Sequence, residues 1–222
     1  AGFLLYDIDR VEILRGPQGT LFGRNATGGL VHYITKKPSE ELDGYIMGTV
    51  GDYDQYKVEG AVGGGNDLVS VRFSGAYNEA DGYINNRYPN SDKLNNANDK
   101  SYRAQLLFTP NEDIDLLLNV RHGQQNIDTV FFQYVSSVEP GKLTPGVPHP
   151  VLDGYTDNTG DVYSGEYNDP GYNELETDGY TATLNWQFSG MTLTSITDYS
   201  TTKRKYIEDS DASPLSFFNF FL

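Results

Sequence analysis

The stretch VEILRGPQGTLFGRNATGG, residues Val11–Gly29, places five glycines and one proline between two short apolar segments. It lacks the Gly-Lys-Ser/Thr ending of a P-loop, and its glycines do not follow the Gly-x-Gly-x-x-Gly spacing of a dinucleotide-binding turn. A phosphate-binding loop is therefore excluded. The apolar segments Val11–Leu14 and Gly29–Thr35 predict two short strands, and the Arg-Gly-Pro triplet predicts a tight turn between them.

The composition favours β-structure with many turns. The 222 residues include 24 glycines and 17 tyrosines, while only 37% of residues are hydrophobic. No run of roughly 18 apolar residues occurs, so no transmembrane helix is predicted. Cysteine is absent, which excludes disulfides, thiolate metal sites and thiol catalysis. The formal net charge of −15, with no basic stripe to offset it, predicts that the surface repels nucleic acid.

Seven longer segments follow this unit, and most of them alternate apolar and polar residues with the period of two that is typical of strands. In the third of them, for example, Val71 and Phe73 alternate with Arg72 and Ser74. The first and last segments alternate less cleanly and are assigned by position. The predicted strands are Leu42–Gly51, Gln55–Gly63, Leu68–Tyr77, Tyr102–Thr109, Ile114–Gly123, Tyr180–Phe188 and Met191–Thr202.

The connections between these strands differ in length at the two ends of the predicted sheet. Short connections rich in turn-forming residues lie at one end, at Gly63–Asp67, Pro110–Asp113 and Ser189–Met191. Long polar connections, Asn78–Asp99 and Ile127–Leu175, lie at the other end. This asymmetry is typical of outer-membrane β-barrels, whereas a soluble β-sandwich usually spreads its loops over both ends.

Two further features favour a membrane barrel over a sandwich. The polar faces of the strands carry charges that a water-filled lumen would tolerate: Lys57, Glu59, Arg72, Arg103, Asp115 and Arg121. Aromatic side chains lie near the strand ends, as in membrane-interface belts: Tyr56, Tyr77, Tyr102, Phe108, Tyr180, Trp186, Phe188 and Tyr199. Because barrels of this kind have an even number of strands and an open edge is costly in lipid, seven strands predict a piece of a longer protein.

The segment VEILRGPQGTLFGRNATGGLVHYITKKP, Val11–Pro38, resembles the end of the plug domain of TonB-dependent outer-membrane receptors. Its Glu-x-x-Arg-Gly-Pro motif, its aromatic-Gly pair and its Gly-Gly to Thr-Lys-Lys-Pro tail all match, although His32 and Tyr33 stand where small or aliphatic residues are more usual. The resemblance implies a mainly β fold. Residues 1–40 would form the C-terminal part of the plug, and residues 41–222 would form the first strands of an incomplete transmembrane antiparallel β-barrel.

The resemblance also implies active import rather than catalysis. A scarce small-molecule ligand, with a ferric siderophore as the first expectation, would bind at the outer face of a barrel embedded in outer-membrane lipid. TonB would then pull the plug through an N-terminal segment that this sequence does not contain. Oligosaccharide, haem or cobalamin could be carried by the same mechanism, and no cofactor is expected.

The resemblance implies roles for residues of the opening stretch. Phe22, Arg24 and Asn25 are expected to contact ligand at the plug apex, and Glu12 and Arg15 are expected to contact charges on the barrel wall. The glycines would leave room against that wall and allow positive φ at turns. Five tyrosines in the long connection would add contacts to the ligand: Tyr134, Tyr155, Tyr163, Tyr167 and Tyr172.

Two other classes stay open on the residues alone, a soluble carbohydrate-binding β-sandwich and an adhesive barrel without transport. No catalytic site is predicted, because the three histidines are scattered and no nucleophile motif accompanies them. No metal site is predicted either, because the acidic pair Asp209 and Asp211 lacks the spacing of a calcium-binding loop.

Overall fold

The computed structural model describes residues 5–23, 25–129, 161–215 and 219–221. The helix α1 (Gly19–Phe22) is a single turn, and no helix in these ranges is long and apolar enough to cross a membrane. The strands are β1 (Ile8–Arg15), β2 (Gly29–Thr35), β3 (Asp43–Gly51), β4 (Gln55–Gly65), β5 (Val69–Ala80), β6 (Asn85–Asn86), β7 (Ala97–Asn111), β8 (Ile114–Thr129), β9 (Ser164–Gly165), β10 (Gly171–Phe188), β11 (Met191–Asp209) and β12 (Asn219–Phe221).

Eight strands form one sheet in the order β12-β11-β10-β8-β7-β5-β4-β3, and each strand pairs antiparallel with its neighbours. The seven long strands are those that the sequence predicts, in the predicted order. Antiparallel neighbours that follow one another along the chain give the up-and-down arrangement that a membrane barrel requires. The three-residue strand β12 adds to the far end of β11.

The strands extend further than the sequence pattern predicts on the side of the long connections. Strand β7 begins at Ala97 instead of Tyr102, and β10 begins at Gly171 instead of Tyr180. The predicted connections Asn78–Asp99 and Ile127–Leu175 are therefore too long. The reason is physical: near these ends both faces of the sheet carry polar side chains, so the alternation of apolar and polar residues that reveals a strand is lost.

The polar face of the sheet is largely buried along β5 and the apolar face is exposed, which is the reverse of the arrangement in a soluble protein. The register places Arg72, 1% exposed, on the polar face, which is largely buried along β5. On the opposite face Ile46 is 83% exposed and Phe73 is 56% exposed. A soluble β-sandwich would cover this apolar face with a second sheet, and none covers it within the described residues. The pattern is that of a barrel whose apolar face meets lipid.

Aromatic side chains border the apolar face at both ends. On the side of the long connections lies a tyrosine row, formed by Tyr56, Tyr77, Tyr102, Tyr180 and Tyr199. Neighbouring rings in this row are close, with centroids 5.7 Å apart for Tyr56 and Tyr77. At the opposite end Trp186 packs on Phe188, with centroids 5.1 Å apart. Aromatic residues are favoured at both membrane–water interfaces, so these two groups indicate where the apolar band ends.

The opening stretch forms a hairpin of its own, in which β1 pairs with β2 from Ile8↔Thr35 to Arg15↔Gly29. This confirms the two predicted short strands. The turn begins at Gly16, whose φ of 85° is a conformation that side chains rarely adopt, and α1 follows it. The hairpin is a separate two-stranded sheet that reaches the large sheet through residues at its base.

The outward orientation of the apolar face can be tested with matched arginine substitutions. Leu118→Arg places a charge in the middle of the apolar face, and we expect it to lower the free energy of unfolding in lipid by about 2–4 kcal/mol. Thr183→Arg lies on the polar face and should have little effect. The measurement is a denaturant titration of the full-length protein refolded into lipid vesicles. Equal effects of the two substitutions would contradict the assignment of the faces.

Candidate functional site

A buried carboxylate at the base of the hairpin contacts two arginines of the large sheet. The Asp7 carboxylate accepts two hydrogen bonds from the Arg72 guanidinium. The distances are 2.8 Å from Nε to Oδ2 and 2.6 Å from Nη2 to Oδ1. Arg103 lies 3.3 Å from the same Oδ2 through its Nη2. The side chains of Asp7 and Arg72 are each 1% exposed. We refer to these three residues as the Asp7 cluster.

The backbone around Asp7 holds the carboxylate in place. Asp7 has a φ of 51°, a left-handed conformation that aspartate tolerates better than most residues. Its N–H donates to the hydroxyl of Tyr45 (3.0 Å), and its C=O accepts from the N–H of Lys36 (3.0 Å) and from Arg103. Strands β3 and β7 and the end of the hairpin thus all orient this one residue.

Tyr6 completes the contact on the other side of Arg103. The Arg103 guanidinium lies 4.9 Å from the centre of the Tyr6 ring, a cation–π distance. The hydroxyls of Tyr6 and Ser101 are 3.1 Å apart. Burial raises the pKa of the Tyr6 phenol, and the bond to Ser101 opposes this only in part, so Tyr6 is neutral at physiological pH.

Charges of alternating sign continue outward from the Asp7 cluster. Arg72 also donates to Asp43 Oδ1 (2.9 Å), and Asp43 pairs in turn with Lys36. Tyr45 links Asp7 to Glu59, whose carboxylate lies 3.3 Å from the Tyr45 hydroxyl. Each buried charge therefore has an opposite charge or a donor beside it, as burial requires.

Two cavities lie beside this contact on the polar face. One, of about 320 Å³, is lined by residues 5–8, Lys36, Tyr45, Glu59 and Arg72. The other, of about 390 Å³, is bordered by Tyr6, Arg103, Arg121 and a series of serine and threonine hydroxyls. The arrangement can hold a chain segment against a polar wall through polar contacts.

The residues predicted to contact the barrel wall lie further along the hairpin. The carboxylate of Glu12 accepts from Arg10 Nε at 2.9 Å and lies 3.7 Å from Nδ1 of His32, so these contacts stay inside the hairpin. Arg15 is exposed next to the turn and forms no ion pair with the described residues. The contact of Glu12 and Arg15 with a barrel wall therefore stays a prediction. The contact that the structure describes uses Tyr6, Asp7 and Lys36 instead.

The residues predicted to bind ligand lie at the opposite end of the hairpin from Asp7. Phe22 ends α1, is 46% exposed and meets the His32 ring edge-on with centroids 5.7 Å apart. Asn25 is exposed in the turn that follows. Arg24 lies outside the described residues. Phe22 and Asn25 thus share one exposed tip, and their contact with ligand stays a prediction.

Three glycines of this stretch have a positive φ, as the turns require. Gly29 has a φ of 137°, and a Cβ there would lie 2.5 Å from the backbone oxygen of Leu14 in the same hairpin. At Gly16, Gly23 and Gly28 a Cβ would meet no described atom within 4 Å. That these three glycines leave room for the wall stays a prediction. Positive φ accounts for Gly16 and Gly23.

Three of the five tyrosines predicted to contact ligand are described, and they lie in different surroundings. Tyr167 is buried with Ile84, Leu94 and Ala212 in a small apolar core between the connections, and Tyr172 lies within β10. Tyr163 is exposed and packs against Tyr83 with ring centroids 6.3 Å apart. Tyr134 and Tyr155 lie outside the described residues. Among these three tyrosines, Tyr163 is the one that offers an exposed ring in a connection.

Sequence reasoning missed Tyr6 and Asp7 as contact residues. Arg72 and Arg103 were recognised as charges of the lumenal face, but their shared partner lies 65 and 96 residues away along the chain. A signal exists in the stretch LLYDIDR, where an acid interrupts an apolar run just before the first strand. An acid in that position requires a buried cation, and the polar faces of the strands supply two.

Comparison with known proteins finds relatives over limited stretches, and no family model matches the chain. The chain is 47% identical over 53 residues to the pesticin receptor of Yersinia pestis, a match that covers 24% of this chain and 8% of that protein. It is 35% identical over 85 residues to the ferric aerobactin receptor of Klebsiella pneumoniae, covering 36% of this chain and 12% of that protein. The matched region is thus a small part of each curated relative.

Solved structures match over nearly the whole chain. The ferric yersiniabactin uptake receptor FyuA of Yersinia pestis superposes with a TM-score of 0.73 at 22% identity, covering 93% of this chain and 30% of that receptor. The ferric-catecholate import receptor Fiu of Escherichia coli K12 gives 0.70 at 18% identity, covering 90% and 29%. These likenesses concern the fold, and the chain spans less than a third of each receptor.

The importance of the Asp7 cluster can be tested with a matched pair of acid-to-amide substitutions. Asp7→Asn leaves the buried guanidinium of Arg103 without its counter-charge and leaves Arg72 with Asp43 alone, and removing one partner of such a buried pair costs about 3–5 kcal/mol. We expect hydrogen exchange at residues 6–8 and at Lys36 in the full-length protein to become about 100-fold faster or more. The control is Asp9→Asn, two residues from Asp7. It removes an exposed ion-pair partner of Arg10 and should leave hydrogen exchange unchanged. Equal exchange in both variants would contradict the role of Asp7.

Proposed function

Because the chain belongs to the family of TonB-dependent outer-membrane receptors, of which it forms a part, we propose that the full-length protein imports a ferric siderophore across the bacterial outer membrane. The observation that carries the proposal is the Asp7 cluster, which joins the N-terminal segment to the water-facing side of a sheet whose other side is apolar and exposed. The relatives named for ferric aerobactin and ferric yersiniabactin favour an iron chelate as the ligand. The proposal is transport and not catalysis.

Residues 1–40 act in this proposal as the C-terminal part of the plug, and residues 41–222 as the first strands of the barrel. The hairpin contacts the polar face of the sheet, which is the lumenal side of a barrel. One side of the hairpin carries four exposed apolar side chains in register, Val11 with Tyr33 and Ile13 with Val31. An apolar surface of this kind needs a cover, and the earlier part of a plug domain would supply it.

The Asp7 cluster suits a plug that must move during transport. A bidentate arginine–carboxylate pair is strong at its ideal geometry and fixes the position of the segment. Once the carboxylate and the guanidinium separate, water in the lumen solvates each of them. The ion pair therefore does not re-form at every intermediate position of the plug. A pull by TonB on the N-terminal side would thus release the base of the hairpin in one step and leave the β1–β2 pairing intact.

Phe22, Arg24 and Asn25 are proposed to contact the ligand at the outer tip of the hairpin. Phe22 is half exposed and can stack on an apolar or aromatic part of the chelate. Asn25 offers an amide, and Arg24 carries a charge opposite to that of an anionic chelate. Glu12 and Arg15 are proposed to contact barrel strands other than those in this chain, because their described surroundings lie within the hairpin.

The transport proposal predicts loss of iron uptake when the gene is deleted. In iron-limited medium the deletion strain should fail to take up radiolabelled iron from one ferric siderophore of a panel, and a plasmid copy should restore uptake. An uncoupler of the proton gradient should abolish uptake while leaving surface binding of the chelate intact, which an adhesive barrel would not show. Unchanged uptake of every iron chelate would overturn the siderophore assignment. Parallel panels of oligosaccharide, haem and cobalamin then identify the ligand.

The ligand contacts at the hairpin tip can be tested by alanine substitution. Phe22→Ala and Arg24→Ala should each raise the dissociation constant of the ferric chelate about tenfold or more, because aromatic and arginine contacts dominate binding sites. Asn25→Ala should have a smaller effect in the same direction. Thr27→Ala, exposed in the same turn, is the matched control and should leave affinity unchanged. If all four variants bind like the natural protein, the tip does not contact the ligand.

A further inference from the structure

A group of metal-ligand side chains lies on the outward face of the sheet, away from the Asp7 cluster. His122 on β8 stands directly opposite Asp178 on β10, and Glu176 lies two residues before Asp178 on the same face of β10. Nδ1 of His122 lies 2.8 Å from Oδ1 of Asp178. One ligand atom from each of the three side chains lies within 4.8 Å of the other two. A single ion can therefore contact all three without movement of the backbone.

The imidazole of His122 is held in a defined orientation. It stacks on the ring of Tyr102, its neighbour on β7, with centroids 4.8 Å apart and an angle of 23° between the planes. His122 is half buried, whereas Glu176 is exposed enough to be reached from solvent. Strands β7, β8 and β10 are paired continuously through this region, so the spacing of the ligands is set by the hydrogen-bond ladder. A rigid ligand set is what a metal site needs.

We propose that His122, Glu176 and Asp178 bind a first-row divalent cation, with Zn²⁺ as the representative ion. One imidazole and two carboxylates form a ligand set that suits zinc in proteins. The ion takes the place of the hydrogen now shared between His122 and Asp178, and it offsets the charge of two neighbouring carboxylates. Three protein ligands leave at least one position of a tetrahedral ion for water or another oxygen.

The site lies just beyond the tyrosine row on the face that meets lipid. Tyr102 belongs to that row, and Tyr180 follows Asp178 on the same face of β10. The cluster is therefore at the level of lipid headgroups and not in hydrocarbon, where two carboxylates would be too costly. It is on the opposite face from Arg72 and Arg103, so it is separate from the proposed transport path.

One neighbouring base competes for the carboxylates. Nζ of Lys203 lies 3.8 Å from Oε2 of Glu176, at the outer limit of an ion pair. The adjacent pair, Lys205 with Glu174, is closer at 3.2 Å and has no histidine beside it. Glu174 is therefore a natural control, since it offers the same charge on the same face of the same strand.

The experiment measures Zn²⁺ binding by calorimetry to the full-length receptor in detergent, after removal of bound metal with EDTA. We expect His122→Gln, Glu176→Gln and Asp178→Asn each to weaken one binding event at least about tenfold, since even changes around metal ligands cost ~10–100-fold. Visible absorption of Co²⁺ bound in place of Zn²⁺ should change in His122→Gln, because a nitrogen ligand is lost. Circular dichroism verifies that each variant retains its sheet.

Two controls make the result specific. Glu174→Gln should leave Zn²⁺ binding unchanged, and Lys203→Met should leave it equal or tighter because Glu176 loses its competing cation. Identical Zn²⁺ titrations for the natural protein and the three ligand variants would overturn the proposal, as would a loss in Glu174→Gln as large as that in Glu176→Gln. Iron uptake by the ligand variants should remain normal, so this outcome is independent of the transport proposal.

Discussion

The organising constraint of this sheet is that, within the described residues, no protein covers its apolar face. Between the two aromatic borders every strand therefore places its charged side chains on the other face, and the N-terminal segment is held on that face. Because the wall it offers is polar, the N-terminal segment attaches through Asp7, Arg72 and Arg103 and not through an apolar core. The membrane makes the inner face of the sheet polar, so it is as much a cause of these buried charges as the contact with Asp7 is.

The same constraint explains which parts of the fold the sequence predicts well. Within the apolar band the faces differ sharply, so alternation reveals the strands, and all seven long strands are confirmed in order. Beyond the tyrosine row both faces meet water or headgroups, and the signal disappears even though β8 and β10 continue. The presence of a strand can thus be predicted from the sequence, because lipid imposes alternation on part of it. The full length of the strand cannot be predicted in this way.

The candidate sites show a second limit of sequence reasoning. Motif resemblance directs attention to the Val11–Pro38 hairpin, whose two strands are correctly predicted by the apolar segments Val11–Leu14 and Gly29–Thr35. It does not find Asp7, which lies before the motif and whose partners come from β5 and β7. Likewise His122 and Asp178 are 56 residues apart in sequence but directly opposite in the sheet. Both groupings depend on register, which period-two alternation leaves undetermined until the strands are paired.

The two faces also divide the sites by the kind of motion they permit. On the lumenal face, Asp7 joins a separate hairpin to side chains of the wall without any strand pairing, so this contact can open without breaking the backbone ladder of the barrel. On the outward face, His122 and Asp178 belong to neighbouring strands of one continuous ladder, and their separation cannot change without breaking backbone hydrogen bonds. The contact of the hairpin is thus built between two sheets, whereas the His122 group is built within one. An ion bound at His122 would add stability to the β8–β10 pair and leave the contacts of Asp7 unchanged.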